Sequence, residues 1–382
     1  MQRDKLLMTP GPTMIPYRVR ETMARQIIHH RTKEFEQYFV KMNEGLKKVF
    51  QTQYPVLTLV SSGTGGMEAA VANAFSPGDK VIAASTGVFG DRFVKIASRF
   101  GLDVDVICVP WGNGIEPEEI ENRLNGPDGD KIKGVLMTHN ETSTGVANNI
   151  EAIGKLLKDR DCLFIVDVIS SMGGLEVKTD EWGIDIAVAG SQKAFMLPPG
   201  LAFVSVSEKA WAAIEKSRLP KFYFDFLAYR KSLLNKTTPY TTAASLVIAA
   251  SEAVEMMLEE GLDNIFARHR NLGEACRAAV KAMGLQLFAD EKYASDLITA
   301  IKAPEGIDIE KVRKAMNLQY DIMIAGGQQH LKGKIIRIGH MGYVDGFDLI
   351  RTLAALELSL AREGYPIEPG TSVSAALKVL KM

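Results

Sequence analysis

Seven runs that are apolar at nearly every position recur between residues 56 and 206: 56–60, 80–84, 104–109, 134–138, 163–166, 184–189 and 201–206. Longer stretches between them carry apolar residues at helical spacing, such as 66–75 before the turn Ser76-Pro77-Gly78-Asp79 and 89–100 before Gly101. Strands without polar alternation are covered on both faces, so the pattern predicts an α/β protein with a mostly parallel, seven-stranded sheet between helical layers. The last two runs stand too close for a helical crossover, which predicts at least one antiparallel strand. From about residue 245 the pattern changes to helices at 245–260 and 261–283, weaker strand signals at 296–302 and 334–338, and a helix at 346–363. The expected division is an N-terminal segment 1–15, a large domain 16–255 and a smaller α+β domain 256–382.

Polar and glycine residues gather just past the apolar runs. Ser61-Ser62-Gly63-Thr64-Gly65-Gly66-Met67-Glu68 follows a strand and opens a helix. Its glycines and free N–H groups suit a phosphate, although it lacks the Lys-Ser/Thr of a P-loop and the third glycine of the dinucleotide fingerprint. A capped strand-to-helix turn reads the same way. Phe89, beside Gly87 and Gly90, can stack on a flat heteroaromatic ring or open the core face of the next helix. Thr138-His139-Asn140-Glu141-Thr142-Ser143-Thr144-Gly145 places eight polar or small residues at one strand end, which is costly unless they cap or bind something. Asp167 ends another apolar run, and Lys193 in Gly190-Ser191-Gln192-Lys193-Ala194 follows the next. An amine and a carboxylate brought to one crevice are what pyridoxal phosphate requires, the first to hold it as a Schiff base and the second to keep its ring nitrogen protonated. Arg337, opposite Ile336 and Ile338 in a strand, can grip a carboxylate in bidentate fashion or face solvent.

A formal net charge of −1 provides no basic field for nucleic acid or anionic lipid, so small metabolites are the expected partners. Cys108, Cys162 and Cys276 lack CxxC spacing. The first two read as buried thiols in a reducing compartment, the third lies in a predicted helix, and no metal site is expected. The opening Met1-Gln2-Arg3-Asp4-Lys5 is not that of a signal peptide, no 18-residue apolar stretch occurs, and a cytoplasmic location is expected.

Taken together, these residues resemble the class V aminotransferases of fold type I, most closely the serine–pyruvate and alanine–glyoxylate group. The resemblance runs from Thr9-Pro10-Gly11-Pro12-Thr13 through the Arg337 strand, and is most specific at 62–65, 141–145 and 190–194 with the later Pro-Pro-Gly. It implies pyridoxal 5′-phosphate as cofactor, with Lys193 as the Schiff-base amine, Asp167 on the pyridine nitrogen and Phe89 stacked on the ring. Gly63, Thr64, Gly65 and Gln192 would hold the phosphate, Thr142 would lie near ring and substrate, and Gly11 and Arg337 would meet the substrate. A homodimer with shared sites is also implied, with Tyr240 and Thr241 of Thr237-Thr238-Pro239-Tyr240-Thr241-Thr242 completing the partner's phosphate site. His30-Arg31 would meet a substrate side chain or anchor the N-terminal segment.

The implied reaction moves an amino group from serine, alanine or aspartate to glyoxylate or pyruvate in ping-pong fashion, with the freed Lys193 as proton carrier. The alternative is a lyase of the cysteine desulfurase or selenocysteine lyase type. Those enzymes usually carry His before the Schiff-base lysine and His as ring stacker, where this chain has Gln192 and Phe89. A regulator built on such a domain would need an added DNA-binding module.

Overall fold

The computed structural model describes residues 4–380, so the first three residues of segment 1–15 and the last two of 256–382 lie outside it. Its strands are β1 (Leu6–Met8), β2 (Val56–Ser61), β3 (Lys80–Ser85), β4 (Asp103–Cys108), β5 (Ile132–Thr138), β6 (Asn140–Glu141), β7 (Val146–Ala147), β8 (Leu163–Asp167), β9 (Ile186–Gly190), β10 (Gly200–Val206), β11 (Ile298–Lys302), β12 (Ile322–Gly326) and β13 (Ile335–Gly339). Seven of them form the large sheet in the order β2-β10-β9-β8-β5-β3-β4. β10 runs antiparallel to both β2 and β9, and the other pairings are parallel.

The absence of polar alternation has a direct structural cause, because successive side chains of the central strands enter two different cores. Leu136, Ile165, Ile186 and Val188 join one with the helices Gly63–Ala74 and Val88–Arg99. Val135, Met137, Val166 and Ala187 join the other with Lys33–Phe50 and Ala244–Glu260. Helix Lys33–Phe50 starts at Thr32, whose side chain accepts from the Phe35 amide, and buries Phe35, Phe39, Met42, Leu46 and Val49.

β4 is one of the two edge strands, and there the expectation of a buried Cys108 fails. Ile107 turns into the core while Cys108 points the other way and is exposed; Cys162 and Cys276 are buried. At the sheet margin the helical layers cover a strand incompletely, so Val106 and Cys108 reach solvent although Val104 on the same face packs inward.

A second sheet has the order β1-β12-β13-β11. The N-terminal strand β1 therefore belongs to the sheet built from the C-terminal part of the chain, parallel to β12 with Leu6 opposite Ile322 and Met8 opposite Ile324. Residues 9–13 lead from that sheet into the large domain. At Gly261, where φ is 84°, helix Ala244–Glu260 ends and Leu262–Ala282 begins in a new direction. The first helix packs Val247, Ala250 and Val254 into the large core, and the second gives Leu272, Ala275, Cys276 and Ala279 to the small one. No helix among the described residues is long and apolar enough to cross a membrane.

Helix Gly63–Ala74 begins three residues earlier than its apolar spacing indicates, because the glycine run forms its first turn. A Cβ on Gly66 would stand 2.7 Å from Val188 Cγ1 and 3.2 Å from Ala202 Cβ, so glycine lets this turn lie directly on β9 and β10. Gly66→Val is expected to lower stability by about 1–3 kcal/mol through overpacking. A variant that melts at the parent temperature would show that the helix does not rest there.

Candidate active site

The parallel strands β3, β5, β8 and β9 all end on one side of the sheet, and β10 starts there, so their following loops converge. Thr138 and Asp167 are register partners at the ends of β5 and β8. Asp167 is 3% exposed; one carboxylate oxygen accepts from the Ile169 amide at 2.8 Å, and the other has a long 3.4 Å contact from the Thr138 hydroxyl. Burial raises its pKa to about 7, with the Ile169 N–H opposing and the Glu141 charge adding to the shift. A cationic partner would remove that penalty, and the weakly engaged oxygen is open to one.

Lys193 is 8% exposed in the loop between β9 and β10, and its Nζ donates to the Pro10 carbonyl. Burial lowers the amine to about 8; Asp167 opposes this, and the Arg337 and Arg92 guanidiniums lower it further. The segment leading from β1 is tied over this loop: the Thr13 amide donates to the Gln192 carbonyl at 3.2 Å and the Thr13 hydroxyl to the Lys193 carbonyl at 2.9 Å. Gly11, with φ of 101°, lies flat on the lysine, and a Cβ there would stand 2.5 Å from Lys193 Cδ and 2.8 Å from its Nζ.

Arg337 is 5% exposed. Its Nε and Nη2 donate to the Gly326 carbonyl at 3.0 and 2.8 Å, and its Nη1 to the Thr142 carbonyl at 2.7 Å. No carboxylate pairs with it among the described residues, and burial lowers its pKa to about 10. A buried guanidinium held only by carbonyl oxygens keeps unused N–H donors and has no direct ion pair, with the Glu141 charge acting only from a distance, an arrangement that suits a carboxylate ligand. The solvent-facing alternative for Arg337 is excluded by its burial.

The polar block after β5 mainly knits loops together. Glu141 is fully buried and accepts from the amides of Phe89 at 2.9 Å, Gly90 at 3.0 Å and Ser143 at 3.1 Å, and from the Ser143 hydroxyl at 2.5 Å. Ser143 also accepts from the Val88 amide, and Thr144 donates to the Thr86 carbonyl. Glu141 thus caps the helix that carries Phe89 and sets the position of that half-buried ring. Gly87 faces this carboxylate so closely that a Cβ would stand 2.6 Å from Glu141 Cδ. Glu141 and Arg92 were not among the expected site residues; Glu141 stood inside a quoted motif, whereas nothing in the spacing marked Arg92.

Gly63 packs against Ile169, with a virtual Cβ 2.5 Å from Ile169 Cδ1. Ser62 caps the helix without a side-chain bond, so the turn containing Gly63, Thr64 and Gly65 presents its amides outward. Gln192 has a buried amide oxygen with no partner, and a Cβ on Gly190 would come within 3.0 Å of it. Tyr240 and Thr241 have no recorded contact with these groups. The Tyr240 hydroxyl donates to the Phe222 carbonyl at 3.0 Å, its ring stacks on Tyr223, and Thr241 is exposed. Arg31 donates to the Thr237 hydroxyl and to the Thr238 and Pro239 carbonyls. Of the two roles open to it, this favours an anchor, and what it anchors is the 237–239 segment.

An underpaired buried carboxylate, a buried amine, an uncommitted glutamine amide and an open helix N-terminus fit pyridoxal 5′-phosphate. Among the described residues no group of three or more His, Cys, Asp and Glu is arranged to hold a metal ion.

The family model for class-V aminotransferases matches residues 7–344. The chain is 46% identical to a Synechococcus sp. protein named soluble hydrogenase, small subunit, over 100% of this chain and 99% of that protein. It is 41% identical to the L-aspartate–glyoxylate aminotransferase of Paracoccus denitrificans, over 98% of this chain and 96% of the relative. The solved structure of ureidoglycine–glyoxylate aminotransferase from Bacillus subtilis superposes with a TM-score of 0.93 at 35% identity, covering 99% of this chain and 98% of that one.

Asp167 has the sign of shift that destabilises a cofactor-free fold as pH rises. A carboxyl whose folded pKa is raised from 3.8 to about 7 binds its proton more tightly when folded, so the fold loses stability through that window. Asp167→Asn carries no such charge. The melting temperature of the cofactor-free variant, relative to the parent, is expected to rise between about pH 5 and about pH 8. A difference that is flat or falls with pH would contradict an unpaired buried carboxylate.

Proposed function

The chain belongs to the class V aminotransferases, and from that premise we propose that it moves the amino group of serine, alanine or aspartate to glyoxylate or pyruvate, working as a homodimer. The observation that carries this reading is the buried amine of Lys193 set among the Asp167 carboxylate, the Arg337 guanidinium and the helix terminus at Gly63. Glyoxylate occurs in the names of both aminotransferase relatives described above, which supports it as acceptor. Pyridoxal 5′-phosphate, the family's cofactor, supplies when bound an aldehyde that condenses with amines and a protonated ring that draws electrons from the substrate α-carbon.

Lys193 is the amine that holds the cofactor at rest. Its amine, lowered to about 8 by burial, suits a proton carrier, and once freed by substrate it would be the group that moves the substrate α-proton. Asp167 would hold the ring nitrogen of a bound cofactor in its protonated form, a pairing that would relieve the burial penalty of the carboxylate. Phe89, positioned by Glu141, would support the cofactor ring, and the amides at Gly63, Thr64 and Gly65 with the Gln192 side chain would hold the phosphate. Arg337 binds the substrate α-carboxylate with its unused N–H groups, which aligns the α-carbon with Lys193, and the Thr142 carbonyl fixes that guanidinium. Gly11 leaves room for the lysine to swing.

Tyr240 and Thr241 act on the partner's site in this reading. The exposed rings of Phe222 (79% exposed) and Tyr223 lie against Tyr240, and apolar rings left in solvent beside this segment support burial there against a second copy. Three unpaired cysteines support a reducing, cytoplasmic setting. The lyase alternative is disfavoured: Cys108 lies on the sheet edge, and Cys162 and Cys276 are buried with raised pKa values. The hydrogenase name belongs to the Synechococcus protein, and no observation on this chain favours that reading.

The holoenzyme is expected to lose its yellow colour with L-serine, L-alanine or L-aspartate added alone and to regain it with glyoxylate or pyruvate. Colour that persists with every donor, or sulfide released from cysteine without an oxo acid, would contradict transamination. Arg337→Ala is expected to reduce kcat/KM at least about thirtyfold while leaving cofactor affinity little changed, because a charged anchor for the carboxylate is lost. Equal loss of both would make Arg337 structural.

A further inference from the structure

The site holds more positive than negative charge. Lys193, Arg337 and Arg92 face Asp167 and Glu141, and Glu141 is consumed by bonds to Phe89, Gly90 and Ser143. Arg337 is assigned to the substrate carboxylate, which leaves Arg92 without a counter-ion. Arg92 lies one turn beyond Phe89 in helix Val88–Arg99, with its guanidinium 4.6 Å from the centre of the Phe89 ring. Its Nη1 reaches across to the first turn of helix Gly63–Ala74 and donates to the Thr64 hydroxyl at 2.8 Å. It makes no ion pair with any described residue, and the neighbouring Asp91 is turned away to the Ser85 hydroxyl at 2.6 Å. Asp167 and Lys193 both sense the Arg92 charge.

A threonine hydroxyl has one proton to donate. Because the Thr64 oxygen accepts from Arg92, its proton is turned away from that guanidinium and is free for a second partner, and the bond to a cation strengthens it as a donor. The amides around it attract an anion but carry only partial charge. A phosphate ester near neutral pH carries between one and two full charges.

We propose that Arg92 is a binding residue for the cofactor phosphate, supplying the full positive charge at the helix terminus and orienting the Thr64 hydroxyl as a donor. This rests on the cofactor reading given above.

The test compares two cofactor forms that differ only in the phosphate. Dissociation constants of pyridoxal 5′-phosphate and of pyridoxal are measured by absorbance on cofactor-free parent, Arg92→Gln and Arg92→Lys proteins. Arg92→Gln is expected to weaken pyridoxal 5′-phosphate by about tenfold to a hundredfold, the range of one lost charge-assisted bond, and to leave pyridoxal essentially unchanged. Arg92→Lys should recover part of the loss. Inorganic phosphate should raise the melting temperature of the cofactor-free parent and raise that of Arg92→Gln less. Equal weakening of both cofactor forms would overturn the proposal and make Arg92 a support for the Phe89 ring, and so would unchanged affinity for pyridoxal 5′-phosphate. A parent protein that binds neither form would instead overturn the cofactor reading itself.

Discussion

The structure depends on keeping ionisable groups out of water without full compensation from the protein. Asp167, Lys193 and Arg337 are each at least nine-tenths buried, and each has its pKa moved towards the neutral form. Isolated buried charges are expensive, and such groups persist where a ligand completes them. The unmet demand differs at each point: a cation for Asp167, a carbonyl carbon for Lys193, a carboxylate for Arg337. One cofactor carrying a pyridinium, an aldehyde and a phosphate, together with an amino-acid substrate, meets all of them.

Holding those groups in place falls to packing and to a second tier of hydrogen bonds. The glycine turn lies on β9 and β10 because Gly66 has no Cβ, which brings the helix terminus to the strand ends. Glu141 acts through backbone amides, capping one loop and shaping another with a single carboxylate. The strap at residues 9–13 joins β1 in the small sheet to the Lys193 loop in the large domain, so the amine is gripped from both sheets. Arg337 on β13 bonds to the Thr142 carbonyl, a second tie between the two sheets at the same crevice. The placement of the small sheet is therefore a direct constraint on both Lys193 and Arg337.

Much of this was legible in the residues because burial on two faces leaves strands continuously apolar, and turns of fixed geometry require glycine. The seven runs between 56 and 206 correspond to the strands of the large sheet, and the close pair at its end gives the antiparallel β10. β1 and β12 escaped notice: β1 has three residues, too few to show a period, and finds its partner more than three hundred positions away, while β12 is separated from helix Ile309–Gln319 by two residues and runs straight into Gly326-Gly327, so nothing in the pattern sets it apart. Cys108 was misread because an apolar run does not reveal whether its strand lies at an edge. Glu141 and Arg92 were not singled out as site residues because their roles arise from contacts between loops distant in sequence. The eight-residue polar block was noticeable by composition, yet only the fold separates the members that bond among themselves from Thr142, whose carbonyl accepts from Arg337.

The central claim is that Lys193 is the amine that takes the cofactor. Reduction of the holoenzyme with borohydride, followed by digestion and mass mapping, tests it most directly, because the reduction makes the lysine–cofactor bond permanent. The account predicts a phosphopyridoxyl group on the peptide containing Lys193 and its absence from every other lysine. A modified lysine elsewhere, with Lys193 recovered unmodified, would contradict it.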